Sequence, residues 1–344
     1  MNIAGREIGP AHPPYVIAEI GVNHDGDVER ALTLTDAAAD AGADAVKLQL
    51  FETDRLMSKA AKLAAYQKAA GETDPLDMLR RLELSIDEMA HVVDRAHERG
   101  VHAVVSVFSV ELVELAETLA WDAYKTASPD IINKPLLDML ASTGKPMVVS
   151  TGTSTLDEVT RASEWLGDAR DRLAILQCVS SYPAPSGALD GIAAIFDATG
   201  VPTGYSDHTP GTDTGARAVA RGACVLEKHL TYDASASGPD HAASLEPDAF
   251  GEYVALLSDV APTPTGPGVK IVLDCERDVR EVSRQSLVAT RDLSSGDAIR
   301  RADLTIKRPG TGLAPYMLDE IVGATVARPV EGDTPITEAD LARR

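Results

Sequence analysis

The sequence predicts a (β/α)8 barrel followed by a small β-rich domain, and three observations carry that expectation. Over residues 1–260, short β-branched runs alternate with amphipathic, alanine-rich stretches of helical period. No Gly-x-Gly-x-x-Gly follows the first run, so the rival open, doubly wound sheet loses its usual support. At 261–268 a Pro/Gly/Thr stretch interrupts the pattern, and the composition changes beyond it.

The strands fall at 16–20, 45–50, 102–107, 123–126, 147–150, 173–178, 203–206 and 224–228, and the clearest helical periods at 28–41, 86–99 and 157–166. Eight strands in βα alternation are what a closed parallel barrel needs. The domain boundaries follow: barrel 1–260, linker 261–282, and a C-terminal domain 283–344. In that domain a strand at 286–289 is followed by turns at 294–297, 307–310 and 331–333. A unit this small is expected to dock on the barrel or on a second subunit.

Composition narrows the function. With 344 residues, 44% hydrophobic and 25% charged, the chain is an ordinary globular one with room for a large core. The formal net charge of -21 argues against nucleic acid, which needs clustered Lys and Arg. No apolar run reaches the ~20 residues of a membrane span, and the start lacks a signal-peptide core, so a cytoplasmic location is expected. Cys178, Cys224 and Cys275 show neither zinc nor disulfide spacing, and two of them sit in predicted strands as buried thiols.

Active-site groups of such barrels gather at the carboxyl ends of the strands, and the polar residues here fall there. Glu19 closes the first strand. Lys47 and Gln49 are two apart in the second and share a face, opposite Val46, Leu48 and Leu50. Lys125 ends the fourth and is followed by Ser128 and Asp130. Ser150 ends the fifth, and Ser180-Ser-Tyr-Pro183 follows the sixth. His208 and His229, 21 residues apart, follow the seventh and eighth. Singly, each has a plain structural explanation as an ion-pair partner, turn or helix cap. Their coincidence at one mouth is the argument for a site. Lysines with Ser and Thr hydroxyls make a phosphate or carboxylate pocket. Two imidazoles without a third nitrogen or sulfur ligand suit an open, partly hydrated divalent metal, Mn2+ or Mg2+, better than structural zinc. No Ser-His-Asp or Cys-His nucleophile is seen. His12, His91, His97 and His102 read as surface or helix-face residues, and His24 and His241 as supporting or substrate contacts.

These motifs resemble the sialic acid (N-acetylneuraminate) synthase family, which condenses phosphoenolpyruvate with an N-acylated amino sugar. The likeness spans nearly the whole chain. It is carried by Ala-Glu-Ile-Gly-Val-Asn-His-Asp-Gly (18–26), Val-Lys-Leu-Gln (46–49), Met-Leu-Arg-Arg-Leu-Glu-Leu-Ser (78–85), Gly-Tyr-Ser-Asp-His-Thr (204–209), Glu-Lys-His (227–229) and Gly-Pro-Asp-His-Ala-Ala-Ser-Leu-Glu-Pro (238–247). Arg-Gln-Ser-Leu-Val-Ala (284–289) and Lys-Arg-Pro-Gly-Thr-Gly (307–312) resemble the antifreeze-like (SAF) domain that closes this family.

The resemblance implies a phosphoenolpyruvate-utilising, carbon–carbon bond-forming transferase. It implies Lys47, Lys125, Ser106, Ser128, Ser150, Ser180 and Ser206 around phosphoenolpyruvate, and Gln49, Tyr182, Asp240 and Arg308 around the sugar. His208 and His229 would hold the metal; Glu19, Lys125 and Asp130 would serve the chemistry. It also implies a domain-swapped homodimer in which Arg308 reaches the partner's barrel. Departures cluster on the sugar side: Ser106-Val-Phe lacks the usual proline, Asp130 stands where many members carry Glu, and Thr153 replaces a common Met. The reaction type is therefore expected with N-acetylmannosamine or a related amino-hexose. An unusual aldose, or a non-catalytic sugar-binding role, are the alternatives.

Overall fold

The computed structural model describes residues 1–258, 260 and 268–342. Most of the Pro/Gly/Thr stretch, residues 261–267, lies outside the described residues. An N-terminal hairpin, β1 (Asn2–Ile3) and β2 (Arg6–Glu7), precedes the barrel. The barrel strands are β3 (Tyr15–Glu19), β4 (Ala45–Leu50), β5 (His102–Val107), β6 (Ala123–Thr126), β7 (Met147–Ser150), β8 (Leu173–Cys178), β9 (Thr203–Asp207) and β10 (Val225–His229). They are parallel and close in the order β10-β3-β4-β5-β6-β7-β8-β9.

Alternation along each strand divides the interior into two halves. Outward residues such as Val46, Leu48 and Val105 pack under the helices. Inward residues at the amino ends, Ile17, Ala45, Val104 and Val148, form an apolar floor with Ile3 and Ile8 of the hairpin. Two residues further along the same face the side chains become polar: Ile17 gives way to Glu19, Ala45 to Lys47, Val104 to Ser106 and Val148 to Ser150. The register sets these groups beside one another, Glu19 against Lys47, Ser106 against Lys125, and Ser206 against Glu227.

The helices start where the sequence supplies caps. Asp27 accepts from the backbone of Glu29 and Arg30 to open Val28–Asp40, and Ser85 with Glu88 boxes the start of Ile86–Glu98. Residues 268–282, a linker by composition, carry a buried Glu276 and a helix, Arg277–Ser283, laid against the barrel mouth. The C-terminal domain pairs β11 (Ser286–Ala289) antiparallel with β12 (Leu304–Lys307) over its own core, which includes Leu287, Ile299, Val326 and Ile336. It docks through Arg308, whose backbone bonds to Leu56 at 2.8 Å and Ser58 at 3.0 Å. Among the described residues no helix is long and apolar enough to cross a membrane.

Candidate active site

The polar halves of the strands meet in a cavity at the carboxyl mouth of the barrel. Its centre is a row of alternating charges. Lys47 Nζ lies 2.5 Å from Glu19 Oε2 and 3.0 Å from Glu227 Oε2, and Lys125 Nζ lies 2.9 Å from Glu227 Oε1. Ser206 donates to Glu227 Oε1 at 2.8 Å, and the backbone of Gly21 donates to Glu19 Oε1 at 2.9 Å. All four charged side chains are buried. Burial pushes Glu19 up to about 7 against the pull of Lys47. Burial also opposes charge on Glu227 and Lys47, but each has oppositely charged neighbours that win. Glu227 is held well below the usual carboxylate range by Lys125 and Lys47, and Lys47 stays above its own by Glu19 and Glu227. For Lys125 burial wins, and its affinity for a proton falls.

On one side of this row lie hydroxyls. Ser128 donates to Ser150 at 3.1 Å and accepts from the backbone N–H of Gly152 at 2.9 Å. Position 152 has no room for a side chain: a Cβ there would stand 2.1 Å from Ser180 Oγ and 2.8 Å from Ser128 Oγ. That close approach lets Ser128, Ser150 and Ser180 converge. Ser106 Oγ is buried without a hydrogen-bond partner among the described residues, facing the same cavity.

On the other side lie the two histidines, with ring centroids 5.3 Å apart. Tyr182 packs on His208 at 4.2 Å, and Tyr66 packs on Tyr182 at 4.8 Å. His208 Nδ1 faces the Val179 carbonyl at 2.8 Å, which leaves Nε2 for another partner. His229 Nδ1 is buried without a hydrogen bond, and Asp240 Oδ2 stands 3.8 Å from it. Burial, His208 and Lys47 hold the His229 imidazole neutral, well below its usual pKa. Among the described residues no three His, Cys, Asp or Glu side chains are gathered as a metal cage. Burial lowers the proton affinity of His208, but the neighbouring Cys178 raises it by more. A divalent cation held by these two imidazoles would therefore displace a proton from His208 and leave its other positions to water or substrate.

Above the row, Arg308 projects from the C-terminal domain over the Phe108 ring, 5.6 Å from its centroid. Asp130 is buried with neither oxygen hydrogen-bonded among the described residues. Burial raises it to about 7, although Arg308 and Lys125 pull the other way. A carboxyl whose folded pKa lies above its unfolded value of 3.8 favours the fold below pH 3.8. That contribution is lost as pH rises through about 7. Asp130→Asn is thus expected to raise Tm at pH 8 by several degrees and leave it unchanged at pH 4. Melts of both proteins at the two pH values test this; identical curves at pH 8 would remove the buried-carboxylate reading.

Thirteen of the fifteen residues expected from the sequence line one cavity; Ser150 and Asp130 stand just behind it. Three of its features were not anticipated. Glu227 bridges both lysines, Tyr66 closes the aromatic stack, and Cys178 Sγ lies 3.7 Å from His208 Nδ1. The last brings together two residues 30 apart in sequence, because Cys178 ends β8 and His208 directly follows the neighbouring β9. Cys178 is fully buried, so the pair offers no exposed nucleophile. His102 is half-buried: it stacks on Tyr15 and shares a 2.8 Å hydrogen bond with its hydroxyl. His241 Nε2 faces Asp25 at 3.0 Å and its Nδ1 faces Thr231 at 2.7 Å, which ties the loop after β3 to the loop after β10.

A closed parallel barrel with a charged cavity at its carboxyl mouth, capped by a C-terminal β domain, is the build of a barrel enzyme. The chain belongs to the NeuB family, whose profile matches residues 34–264, and its C-terminal residues 284–342 match the SAF domain. It is 37% identical to the N,N'-diacetyllegionaminic acid synthase of Legionella pneumophila, over 93% of this chain and 92% of that one. The enzyme of the same name from Campylobacter jejuni is 35% identical over 94% of this chain and 98% of its own length. Among solved structures, the spore coat polysaccharide biosynthesis protein SpsE of Bacillus subtilis superposes with a TM-score of 0.85 at 29% identity, covering 100% of this chain and 99% of that one.

Proposed function

We propose that this chain condenses phosphoenolpyruvate with the open-chain form of an N-acylated amino-hexose, giving a nonulosonic acid and inorganic phosphate. The observation that carries the reading is the division of one cavity into an anion side, Lys47 and Lys125 with Ser106, Ser128, Ser180 and Ser206 and with Ser150 backing Ser128, and a histidine side. Phosphoenolpyruvate fits the first and the aldehyde the second.

Lys47 and Lys125 pair with its carboxylate and phosphate, and the serine hydroxyls satisfy the remaining oxygens. A divalent metal, Mn2+ or Mg2+, at His208 and His229 supplies Lewis-acid polarisation of the aldehyde oxygen. Gln49, Tyr182, Asp240 and Arg308 hold the sugar so that its aldehyde carbon meets the enol carbon. As that bond forms, positive charge grows on the carbon bearing the phosphate. Glu19 stabilises it and guides water onto the same carbon. The tetrahedral adduct then expels phosphate by C–O cleavage, and Lys125 stabilises the departing anion. Arg308 faces the sugar's hydroxyl groups, and Asp130, buried behind the cavity, serves the chemistry from there through its charge coupling to Arg308 and Lys125.

Phosphate release from phosphoenolpyruvate with Mn2+, measured across N-acetylmannosamine, diacetamido-trideoxyhexoses and simple aldoses, tests the reading. Release with an amino-hexose supports it, and release with a simple aldose alone moves the substrate to the unusual-aldose alternative. A chain that binds no phosphoenolpyruvate favours the non-catalytic alternative.

A homodimer in a reducing cytoplasm completes the proposal: the contact that Arg308 makes here with Leu56 and Ser58 of its own chain is exchanged between two copies by a swap of the C-terminal domains. Arg308→Ala is expected to raise the sugar KM about tenfold while the phosphoenolpyruvate KM holds. Co-expressing that variant with His208→Ala tests the exchange. Swapped tails assemble one intact site in the mixed dimer and restore the wild-type sugar KM to part of the activity, whereas tails docked on their own barrels leave only the raised KM of Arg308→Ala.

A further inference from the structure

The strongest unassigned group lies outside the cavity. Glu276, in the segment joining barrel to SAF domain, is fully buried. Its Oε1 accepts two backbone N–H groups, from Thr153 at 2.7 Å and from Ser180 at 2.8 Å. Its Oε2 accepts from Leu273 at 2.9 Å, which fixes the carboxylate to its own turn. Thr153 follows β7 and Ser180 follows β8, so one side chain bridges the two loops that carry Ser150 and Ser180.

The same segment grips the far side of that loop. Arg280 Nη1 and Arg284 Nη2 both donate to the Thr153 carbonyl, the latter at 3.1 Å. Glu158 holds the two guanidiniums at 2.8 and 2.6 Å. Thr153 is left-handed, with φ of 58°, a conformation a threonine does not keep without such support. Both its N–H and its carbonyl are therefore anchored from the joining segment.

Resting on the synthase reading, we propose that Glu276 is a positioning residue for the phosphoryl end of the site. Two N–H groups converging at the carboxyl ends of neighbouring strands would by themselves form a seat for an oxyanion. The protein fills that seat with its own carboxylate. The phosphate of phosphoenolpyruvate is thereby directed to the hydroxyls of Ser128, Ser150 and Ser180 and to Lys125, whose spacing the Glu276 bridge sets. Docking of the C-terminal domain and loading of phosphoenolpyruvate are coupled through this one group.

Calorimetric binding of phosphoenolpyruvate to the full chain, with steady-state constants for both substrates, tests the proposal. Glu276→Ala should weaken phosphoenolpyruvate binding and raise its KM about tenfold or more, with the sugar KM within twofold. Glu276→Gln keeps an oxygen for the two N–H groups and should recover much of the loss. A folded Glu276→Ala protein that binds phosphoenolpyruvate within twofold of the wild type overturns the proposal. Equal rises in both KM values overturn it too, because they mark a structural role only. If Glu276→Ala does not fold, Glu276→Asp decides: one methylene shorter, it cannot reach both the Thr153 and Ser180 N–H groups, so it must weaken phosphoenolpyruvate affinity without shifting the sugar KM, and no shift overturns the idea. A wild-type chain that binds phosphoenolpyruvate but turns over no sugar removes the synthase reading, while the affinity series still judges Glu276.

Discussion

His229→Ala is expected to lower phosphate release from phosphoenolpyruvate and an acceptor sugar by about a thousandfold, the several kcal/mol that polarisation of a carbonyl contributes. The ring ends β10 at the cavity wall, beside His208, and its Nδ1 is buried with no hydrogen bond to lose. Little folding energy depends on it, so the melting curve should stay near that of the wild type. Mn2+ affinity, read by calorimetry or electron paramagnetic resonance, should fall together with turnover. A variant with wild-type Mn2+ affinity and turnover within tenfold of normal would take the metal away from this pair.

Glu227→Gln should damage the other half of the site nearly as much. Glu227 is the counter-charge shared by Lys47 and Lys125, and Lys47 has a second in Glu19 while Lys125 has none among the described ion pairs. Burial already weakens the hold of Lys125 on its proton, so removal of the carboxylate lets that lysine go neutral. The expected result is a phosphoenolpyruvate KM about a hundredfold higher at pH 7, partly recovered at lower pH, where Lys125 regains its charge. The glutamine is nearly isosteric and keeps the Ser206 contact. A phosphoenolpyruvate KM within threefold of the wild type across pH 6–8 would show that Lys125 does not depend on Glu227.

The barrel was legible because its signal is local. Each strand is a short β-branched run, and the polar residue that ends it shares a face with apolar residues two positions earlier. The run expected at 16–20 is found one residue earlier, at Tyr15–Glu19, and that at 224–228 one residue later, at Val225–His229. The same alternation could have found Glu227, which stands two positions before His229 on the same face, as Lys47 stands two before Gln49. Tyr66 gave no such signal. It sits in an alanine-rich stretch without a period, placed by its stack on Tyr182 and by the bond from the Ala65 N–H to Asp278 at 2.8 Å. Glu276 was harder still. In sequence it is one acid within the charged stretch 274–284, and its partners lie 96 and 123 residues away. Groups whose meaning comes from a distant docking cannot be read from spacing.

The alternating row of Glu19, Lys47, Glu227 and Lys125 has a consequence for behaviour at high ionic strength. Its side chains are 1–6% exposed, so mobile counter-ions cannot enter between them. The exterior, which carries most of a formal charge of -21, is open to them. In molar potassium chloride the Debye length shrinks to about 3 Å. Screening then relieves repulsion among the surface carboxylates and leaves the interior row as it was. Salt acts on this molecule from the outside only, strengthening the shell while the lysines that meet an anionic substrate keep their fixed partners.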